Sequence, residues 1–157
     1  MSGTPDVAIR RAKAADAETV GELLHAFNSE FDEPTPGPHV LAGRIRRLLA
    51  AQEATILLVG SKPHGLAVLR FRPSIWSEGL DCYLEELYVV PERRGQGLGR
   101  ALMEAAIDLA RREGATHMEL GSSEADVAAR ALSERMGFSN RGGQPEGPVD
   151  YFYEREL

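Results

Sequence analysis

The sequence predicts an α/β protein of the α+β type, with a central sheet of six to seven strands flanked by about four helices. Apolar runs rich in β-branched residues alternate with segments whose apolar residues recur at helical spacing. No repeat, linker or low-complexity tract interrupts this order, and the length of 157 residues suits one core. We therefore predict a single domain over residues 1–157.

The first predicted elements are a strand and two helices. "VAIRRA" (7–12) alternates like an edge strand, and Asp16 stands where it could cap a helix. The apolar positions of that helix are Val20, Leu23, Leu24 and Phe27. Three prolines within residues 28–38 break the pattern, and residues 39–52 resume a period of 3.6 residues. A loop therefore separates the two helices.

The middle of the chain predicts three strands. "ATILLVG" (54–60) and "LAVLRFRP" (66–73) are joined by turn-forming residues, which indicates a β-hairpin. "LDCYLEELYVV" (80–90) is the next strand, and Pro91 closes it because proline has no N–H to donate to a ladder.

The remaining elements alternate between helix and strand. From Leu98 to Gly114 the apolar residues lie on one helical face. "THMELGS" (116–122) predicts a strand, and residues 124–138 predict a helix that Gly137 ends. The alternation of "DYFYEREL" (150–157) predicts a last strand.

Composition narrows the classes of partner. The formal charge of −6 argues against a nucleic-acid surface and favours a small cationic partner. No apolar run approaches the length of a membrane span, and the first residues lack the apolar stretch of a signal peptide, so we expect a cytoplasmic protein without a membrane partner. Cys82, the single cysteine, has no disulfide partner in the chain, and the four histidines share no metal-ligand spacing, so we expect no metal.

The stretch "VVPERRGQGLGRAL" (89–102) indicates an anion site. A strand that ends in glycines and opens a helix gathers unpaired N–H groups at the positive end of the helix dipole. A P-loop would need Gly-Lys-Ser/Thr, and Arg100 and Ala101 follow Gly99 instead. A dinucleotide fingerprint would need G-x-G-x-x-G, which the spacing matches poorly.

The same stretch resembles the Q/R-x-x-G-x-G/A motif of the GNAT superfamily of N-acetyltransferases, carried here by Arg94, Gly97 and Gly99. "LEELYVVP" before it, "ARALSERMGF" after it and "IRRAKAADAETVGELL" near the start also look like this family. The resemblance implies a mixed, mostly antiparallel sheet, splayed between the fourth and fifth strands. It implies acetyl-CoA as the cofactor and coenzyme A as a product.

The resemblance also implies which residues bind acetyl-CoA. Backbone amides from Arg94 to Arg100 would hold the pyrophosphate, and the strand before them would pair with the pantetheine arm. Asp126 stands where the family often has an asparagine near the cofactor. The cofactor-binding residues implied are Leu87, Tyr88, Val89, Arg94, Gly95, Gln96, Gly97, Leu98, Gly99, Arg100 and Asp126.

Acetyl transfer to an amine needs a group that accepts a proton. An alkylamine has a pKa of about 10.4, so a nearby carboxylate would help to deprotonate it. Glu85 and Glu86 are the candidates; alternation sends them to opposite faces, and resemblance to polyamine-acetylating relatives favours Glu85 before Glu86. Ser133 occupies the position of the family's acidic tyrosine, which leaves the proton donor open between Ser133, water and another tyrosine.

The acceptor side is predicted from the loop between the first two helices. Phe27, Glu30 and Phe31 offer acidic and aromatic groups that suit a cationic amine. Trp76, in the separate segment "SIWSEG" (74–79), is expected either at the rim of the same cleft or over the core. We expect an N-acetyltransferase that moves an acetyl group from acetyl-CoA to a primary amine of a small cationic acceptor, by direct attack through a tetrahedral intermediate. The alternatives are an acyl-CoA-binding module with weak or lost activity and a nucleotide-binding oxidoreductase. The sequence leaves the acceptor unidentified, and its exposed strands suggest a homodimer.

Overall fold

The computed structural model describes residues 6–157, which form two compact units, one through Met118 and one from Glu119 to Leu157. The first unit contains three helices: α1 (Ala17–Glu30), α2 (Pro38–Ala50) and α3 (Leu98–Arg112). Its strands are β1 (Ile9–Arg11), β2 (Thr55–Val59), β3 (Gly65–Pro73) and β4 (Leu80–Val89). Strand β5 (Ala115–Leu120) crosses the boundary, and α4 (Val127–Arg135) belongs to the second unit.

The sheet has the order β1-β2-β3-β4-β5, and β1 to β4 form an antiparallel meander. The predicted α+β architecture with four helices is confirmed. Strand β5 neighbours β4 in this order, and the Leu80 N–H at the start of β4 donates to the carbonyl of Gly114, the residue before β5, at 3.1 Å. The splay expected further along these strands stays a prediction.

The described residues contain five strands, so the prediction of six to seven was too high. The missing element is "DYFYEREL": residues 150–157 are irregular and exposed. Alternation selects a strand only when a neighbouring strand offers hydrogen bonds, and the structure records no such partner for this segment within residues 6–157.

Helices α1 and α2 cover one face of the sheet. Their buried residues join alternate residues of β2, β3 and β4 in one cluster, which includes Val20, Leu23, Ala42, Ile45, Ile56, Leu58, Leu66, Val68 and Tyr88. The two helices approach closely at Gly21, where a Cβ atom would lie 2.9 Å from the backbone nitrogen of Ala42. Glycine is therefore required at this crossing. Helix α3 packs against β2, β3 and β4 as well, so β2 is buried along its whole length.

Helix α1 is longer than the sequence predicted. It continues through Asn28 and Ser29 and ends at Glu30, so Glu30 lies in the last helical turn and not in a loop. Phe27 and Phe31 are four residues apart, so their rings meet edge to face, with the ring centres 5.5 Å apart.

Two expectations from composition can be compared with the fold. Across residues 6–157, no helix is both long and apolar enough to cross a bilayer. Cys82 is a buried free cysteine, and burial raises the pKa of its thiol to about 11, which suits a packing role.

Asp16 joins β1 to the start of α1, and its removal should destabilise the protein. Its carboxylate accepts two hydrogen bonds from the Arg10 guanidinium, at 2.9 and 2.7 Å, and one from the Lys13 N–H at 2.8 Å. These contacts, the Arg10 bonds foremost, lower its pKa to about 2. We expect Asp16→Asn to lower the free energy of unfolding by about 1 to 2 kcal/mol at neutral pH.

The pH dependence of this loss of stability shows whether the charge of Asp16 causes it. Because the folded-state pKa lies below the unfolded value, the stabilisation is present above about pH 4 and disappears as the pH falls towards about 2. Urea unfolding at about pH 7 and about pH 3 should show the deficit of Asp16→Asn shrinking in acid. Asp108→Asn is the matched control, because its pair with Arg111 spans 3.9 Å on the exposed surface. If Asp16→Asn lowers the free energy of unfolding equally at both pH values, the charge of Asp16 does not stabilise the fold.

Candidate active site

A β-bulge in β4 arranges the two candidate glutamates. Val68 of β3 pairs with Glu86, whereas the next residue, Leu69, pairs with Leu84, so Glu85 is an extra residue on β4. Residues directly paired across strands share a face, so Glu86 lies on the same face as Val68, the side that α1 and α2 cover. The bulge thus changes which face the alternate residues of β4 occupy.

Glu85 forms an ion pair with Arg70 of β3. The Arg70 Nε donates to Glu85 Oε2 at 2.6 Å, and the Arg70 Nη1 donates to the Glu53 carbonyl at 3.0 Å. Arg70 lies two residues beyond Val68 and therefore on the α1 and α2 side. Alternation predicts that Glu85 and Glu86 point to opposite faces, but the bulge lets Glu85 reach an arginine on the face of Glu86.

Glu86 has the electrostatics of a general base. Burial, with the neighbouring Glu85 charge as the second cause, raises the pKa of its carboxyl to about 7. Within residues 6–157, the structure records no ion pair for this carboxylate. A carboxylate with a pKa near neutrality can accept a proton from a substrate and release it to water.

The glycine-rich turn connects β4 to α3. Gly95 and Gly97 have φ angles of +77° and +81°, in the left-handed region, and a Cβ atom at either position would meet no atom within 4 Å. Glycine is therefore needed for the backbone conformation, and open space lies beside the turn. Gly97 is the N-cap residue of α3, so no side chain caps the helix.

The turn presents a run of unpaired donors. The Arg94 N–H donates to the Pro91 carbonyl at 3.3 Å, and the Ala101 N–H donates to the Gly97 carbonyl at 3.0 Å. Between them, no protein acceptor within residues 6–157 is recorded for the N–H groups from Gly95 to Arg100. These donors, at the positive end of α3, suit a bound anion such as a phosphate group. That the anion is the pyrophosphate of acetyl-CoA stays a prediction.

A charged and aromatic network joins α1 to this turn. Glu30 Oε1 accepts hydrogen bonds from Arg94 Nη2 at 2.8 Å and from the Tyr88 hydroxyl at 3.2 Å. Arg94 Nε also donates to the Val89 carbonyl at 3.0 Å, and its guanidinium lies 5.7 Å from the centre of the Tyr88 ring. The Phe27 ring stacks on the Tyr88 ring, with the two ring centres 4.7 Å apart.

The backbone of β4 fits the expected role of Leu87 and Val89. The Val90 N–H donates to the His64 carbonyl, so Val90 and, by alternation, Tyr88 direct their polar backbone groups towards β3. Leu87 and Val89 direct theirs to the opposite edge, where the Val89 carbonyl accepts from Arg94 Nε and an extended ligand could pair with the Leu87 backbone and the Val89 N–H. Tyr88 is thus placed to contribute its side chain more than its backbone.

Two predicted site residues lie in the second unit, where each has a local partner. Asp126 is the N-cap of α4, and its carboxylate accepts a hydrogen bond from the Ala129 N–H at 3.0 Å. Ser133 is buried, and its hydroxyl donates to the Ala129 carbonyl at 2.9 Å. Both contacts are intrahelical or capping bonds, so roles in catalysis or cofactor binding stay predictions.

The remaining acceptor candidates differ in exposure. Trp76 is 92% exposed in the loop before β4, and Phe31 is 49% exposed at the end of α1. Among the described residues, no group of three His, Cys, Asp or Glu side chains could hold a metal ion.

Sequence reasoning missed Arg70 and the partners of Arg94. Arg70 and Arg72 occupy alternate positions of β3 and form ion pairs with Glu85 and Asp81 of β4, of which Asp81 is directly paired with Arg72 across the strands. This charge complementarity between two successive predicted strands was the available signal. The contact of Arg94 with Glu30 spans 64 residues and had no signal in the local sequence.

Comparisons with known proteins identify the family of the chain. A model of the family described as "Acetyltransferase (GNAT) family" matches residues 19–138. A crystal structure from Arthrobacter sp. FB24, described as a proposed acetyltransferase, superposes with a TM-score of 0.86 at 46% identity and 96% coverage of both chains. Thialysine N-epsilon-acetyltransferase of Bos taurus is 32% identical over 143 residues, which cover 83% of each chain. The uncharacterized N-acetyltransferase YhfO of Bacillus subtilis is 27% identical, over 86% of this chain and 91% of its own.

The raised pKa of Glu86 predicts a pH-dependent cost in stability. Because the folded state disfavours ionisation, the protein loses stability as the pH rises from about 4.5 to about 7, relative to a variant that cannot ionise. The free energy of unfolding of Glu86→Gln, relative to that of the wild type, should increase by about 1 to 3 kcal/mol between about pH 4.5 and about pH 8. Urea unfolding at both pH values measures this difference.

Glu113→Gln is the control for that experiment, because Glu113 lies in an exposed pair with Arg11 at 3.9 Å. It should differ from the wild type by less than about 0.5 kcal/mol at either pH. A Glu86→Gln variant whose difference from the wild type does not change with pH would show that Glu86 has an ordinary pKa.

Proposed function

Because the chain belongs to the GNAT family of acetyltransferases, we propose that it transfers an acetyl group from acetyl-CoA to the primary amine of a small cationic acceptor, with Glu86 as the general base. The chain is an acyltransferase, and members of the family generally use acetyl-CoA. The observation that carries the proposal is the conjunction, on one strand, of a carboxylate with a pKa of about 7 and a following turn of unpaired N–H donors.

Acetyl-CoA supplies the acetyl group as a thioester. The N–H groups from Gly95 to Arg100 would bind its pyrophosphate, with Arg100 and Arg93 adding positive charge nearby. The backbone of Leu87 and Val89 would pair with the pantetheine arm. The length of β4 from Glu86 to Val89 then sets how far the reacting carbon lies from the phosphate site.

The acceptor amine must lose a proton to become a nucleophile. Glu86 lies on the face that α1 and α2 cover, three residues before the end of β4. Its carboxylate attracts the ammonium and accepts its proton, directly or through water. Glu85, which pairs with Arg70 beside it, contributes through its charge to the raised pKa of Glu86, after the larger effect of burial.

The names of relatives support an amine acceptor. The relative from Bos taurus is named for acetylating the ε-nitrogen of thialysine, and one from Streptomyces lavendulae, 35% identical over 91 residues, is named for streptothricin. Phe27, Phe31 and Trp76 are the side chains proposed to face the organic part of the acceptor. The proton that the leaving thiolate takes up comes from solvent or from a tyrosine in this proposal, because the Ser133 hydroxyl donates within α4.

The first test is binding of acetyl-CoA by the purified protein. We expect saturable binding with a Kd on the order of micromolar in calorimetry, and no binding of NAD. Gly97→Ala should weaken binding at least about tenfold, because a side chain there occupies the open space beside the turn and strains a left-handed residue.

Gly114→Ala separates strain from blockage of the site. Gly114 has a φ of +91° and equally open surroundings, but it lies at the other end of α3. Its substitution should cost similar stability and leave the Kd unchanged. If Gly97→Ala and Gly114→Ala weaken acetyl-CoA binding equally, or if the protein binds NAD in place of acetyl-CoA, the proposed site is contradicted. Binding without turnover of any amine would favour the acyl-CoA-binding alternative.

The second test is the pH dependence of the rate. In the wild type, kcat/KM for an amine should rise with pH through about 7, as Glu86 loses its proton. Glu86→Gln should lower kcat/KM about 100- to 1,000-fold near pH 7, and less at high pH, where the amine is already neutral.

Glu85→Gln is the matched control. Removal of the Glu85 charge should lower the pKa of Glu86 and move the rise in kcat/KM to lower pH, with a loss of less than about tenfold. If Glu85→Gln abolishes the rise and Glu86→Gln keeps it, the base is Glu85.

A further inference from the structure

The sequence predicted that Glu30 contacts the acceptor amine, but the structure engages its carboxylate elsewhere. We propose that Glu30 is a positioning residue that holds Arg94 and thereby fixes the glycine-rich turn for cofactor binding. This inference rests on the proposed use of acetyl-CoA. We call the network of Glu30, Tyr88 and Arg94 the Glu30 bridge.

The Glu30 bridge has well-defined donors and one shared acceptor atom. Glu30 Oε1 accepts from both Arg94 Nη2 and the Tyr88 hydroxyl, and the Glu30 and Arg94 side chains are 27% and 45% exposed. The Arg94 hydrogen bond, the largest contribution, lowers the pKa of Glu30, which therefore stays ionised. Burial raises the pKa of the Tyr88 phenol, which therefore stays a donor.

Arg94 is held from three sides. Glu30 binds one end of its guanidinium, the Val89 carbonyl accepts from its Nε, and the Tyr88 ring lies beneath it. Its backbone N–H donates to the Pro91 carbonyl. Both the side chain and the main chain of Arg94 are therefore fixed against β4 and α1.

Arg94 is the last residue with a side-chain anchor before the unpaired donors begin. Gly95 and Gly97 have no side chains, and Gly97 leaves the start of α3 without a side-chain cap. Free rotation at two glycines would cost conformational entropy when a ligand binds. An anchored Arg94 reduces that cost, because the turn already starts from the right place.

The same contacts argue against a direct role in acceptor binding. A carboxylate that already pairs with an arginine gives little net attraction to a second cation. The two roles differ in which affinity they change: a positioning role changes the Kd of acetyl-CoA, whereas direct contact changes the KM of the amine.

The test is a double-mutant cycle measured by calorimetry with acetyl-CoA alone. Glu30→Gln keeps the shape of the side chain and should raise the Kd about five- to twentyfold. Arg94→Gln removes the held guanidinium and keeps a residue that the motif accepts. If Glu30 acts through Arg94, adding Glu30→Gln to Arg94→Gln should raise the Kd by less than about twofold.

Glu18→Gln is the matched control, because Glu18 also lies on α1 and pairs with an arginine, Arg46, at 3.2 Å. It should leave the Kd unchanged. Thermal unfolding of each variant checks folding, and Tyr88→Phe, which keeps the ring stacked on Phe27, supplies a second and milder way to weaken the Glu30 bridge.

The outcomes separate this inference from the proposed function. A wild type that binds no acetyl-CoA overturns both. A wild type that binds, with an unchanged Kd in Glu30→Gln or with fully additive losses in the double variant, overturns the positioning role alone. A rise in the KM of the amine with no change in the Kd of acetyl-CoA would overturn the positioning role and support direct contact between Glu30 and the acceptor.

Discussion

One extra residue in β4 determines how the rest of the candidate site is built. With Glu85 inserted between paired positions, Leu84 and Glu86 lie on opposite faces of the sheet although they are two residues apart. The first half of β4 can therefore bury Cys82 and Leu84 on one side, while the second half presents Glu86 and buries Tyr88 on the other. Without the bulge, either the core residues or the glutamate would face the wrong way.

The electrostatics of the site follow from this geometry. Two carboxylates brought close together resist simultaneous ionisation, and the protein resolves the conflict by giving them different neighbours. Glu85 pairs with Arg70, whereas Glu86 is largely buried and lies beside the charge of Glu85. The pair thus divides into one carboxylate bound to an arginine and one whose pKa of about 7 lets it exchange protons near neutral pH.

Periodicity and turn chemistry predicted most of the elements, because each depends on residues close in sequence. They failed where the structure depends on distant partners. The segment 150–157 alternates as a strand would, yet its backbone is irregular. The bulge at Glu85 was invisible because a single inserted residue leaves no mark on the composition of a strand. The partners of Glu30 became visible only in three dimensions, since α1 and the glycine-rich turn are far apart in the chain.

Helix α3 begins without a cap of its own. Most helices of this length satisfy their first N–H groups with a side chain, and here Gly97 offers none. An anion bound at the turn, as proposed, would satisfy these N–H groups in place of the missing side chain, so the ligand would complete the helix as well as occupy the site. Folding and binding would then be thermodynamically linked: above the Kd, the free energy of unfolding rises with the logarithm of the free ligand concentration, and resistance to proteolysis increases with it.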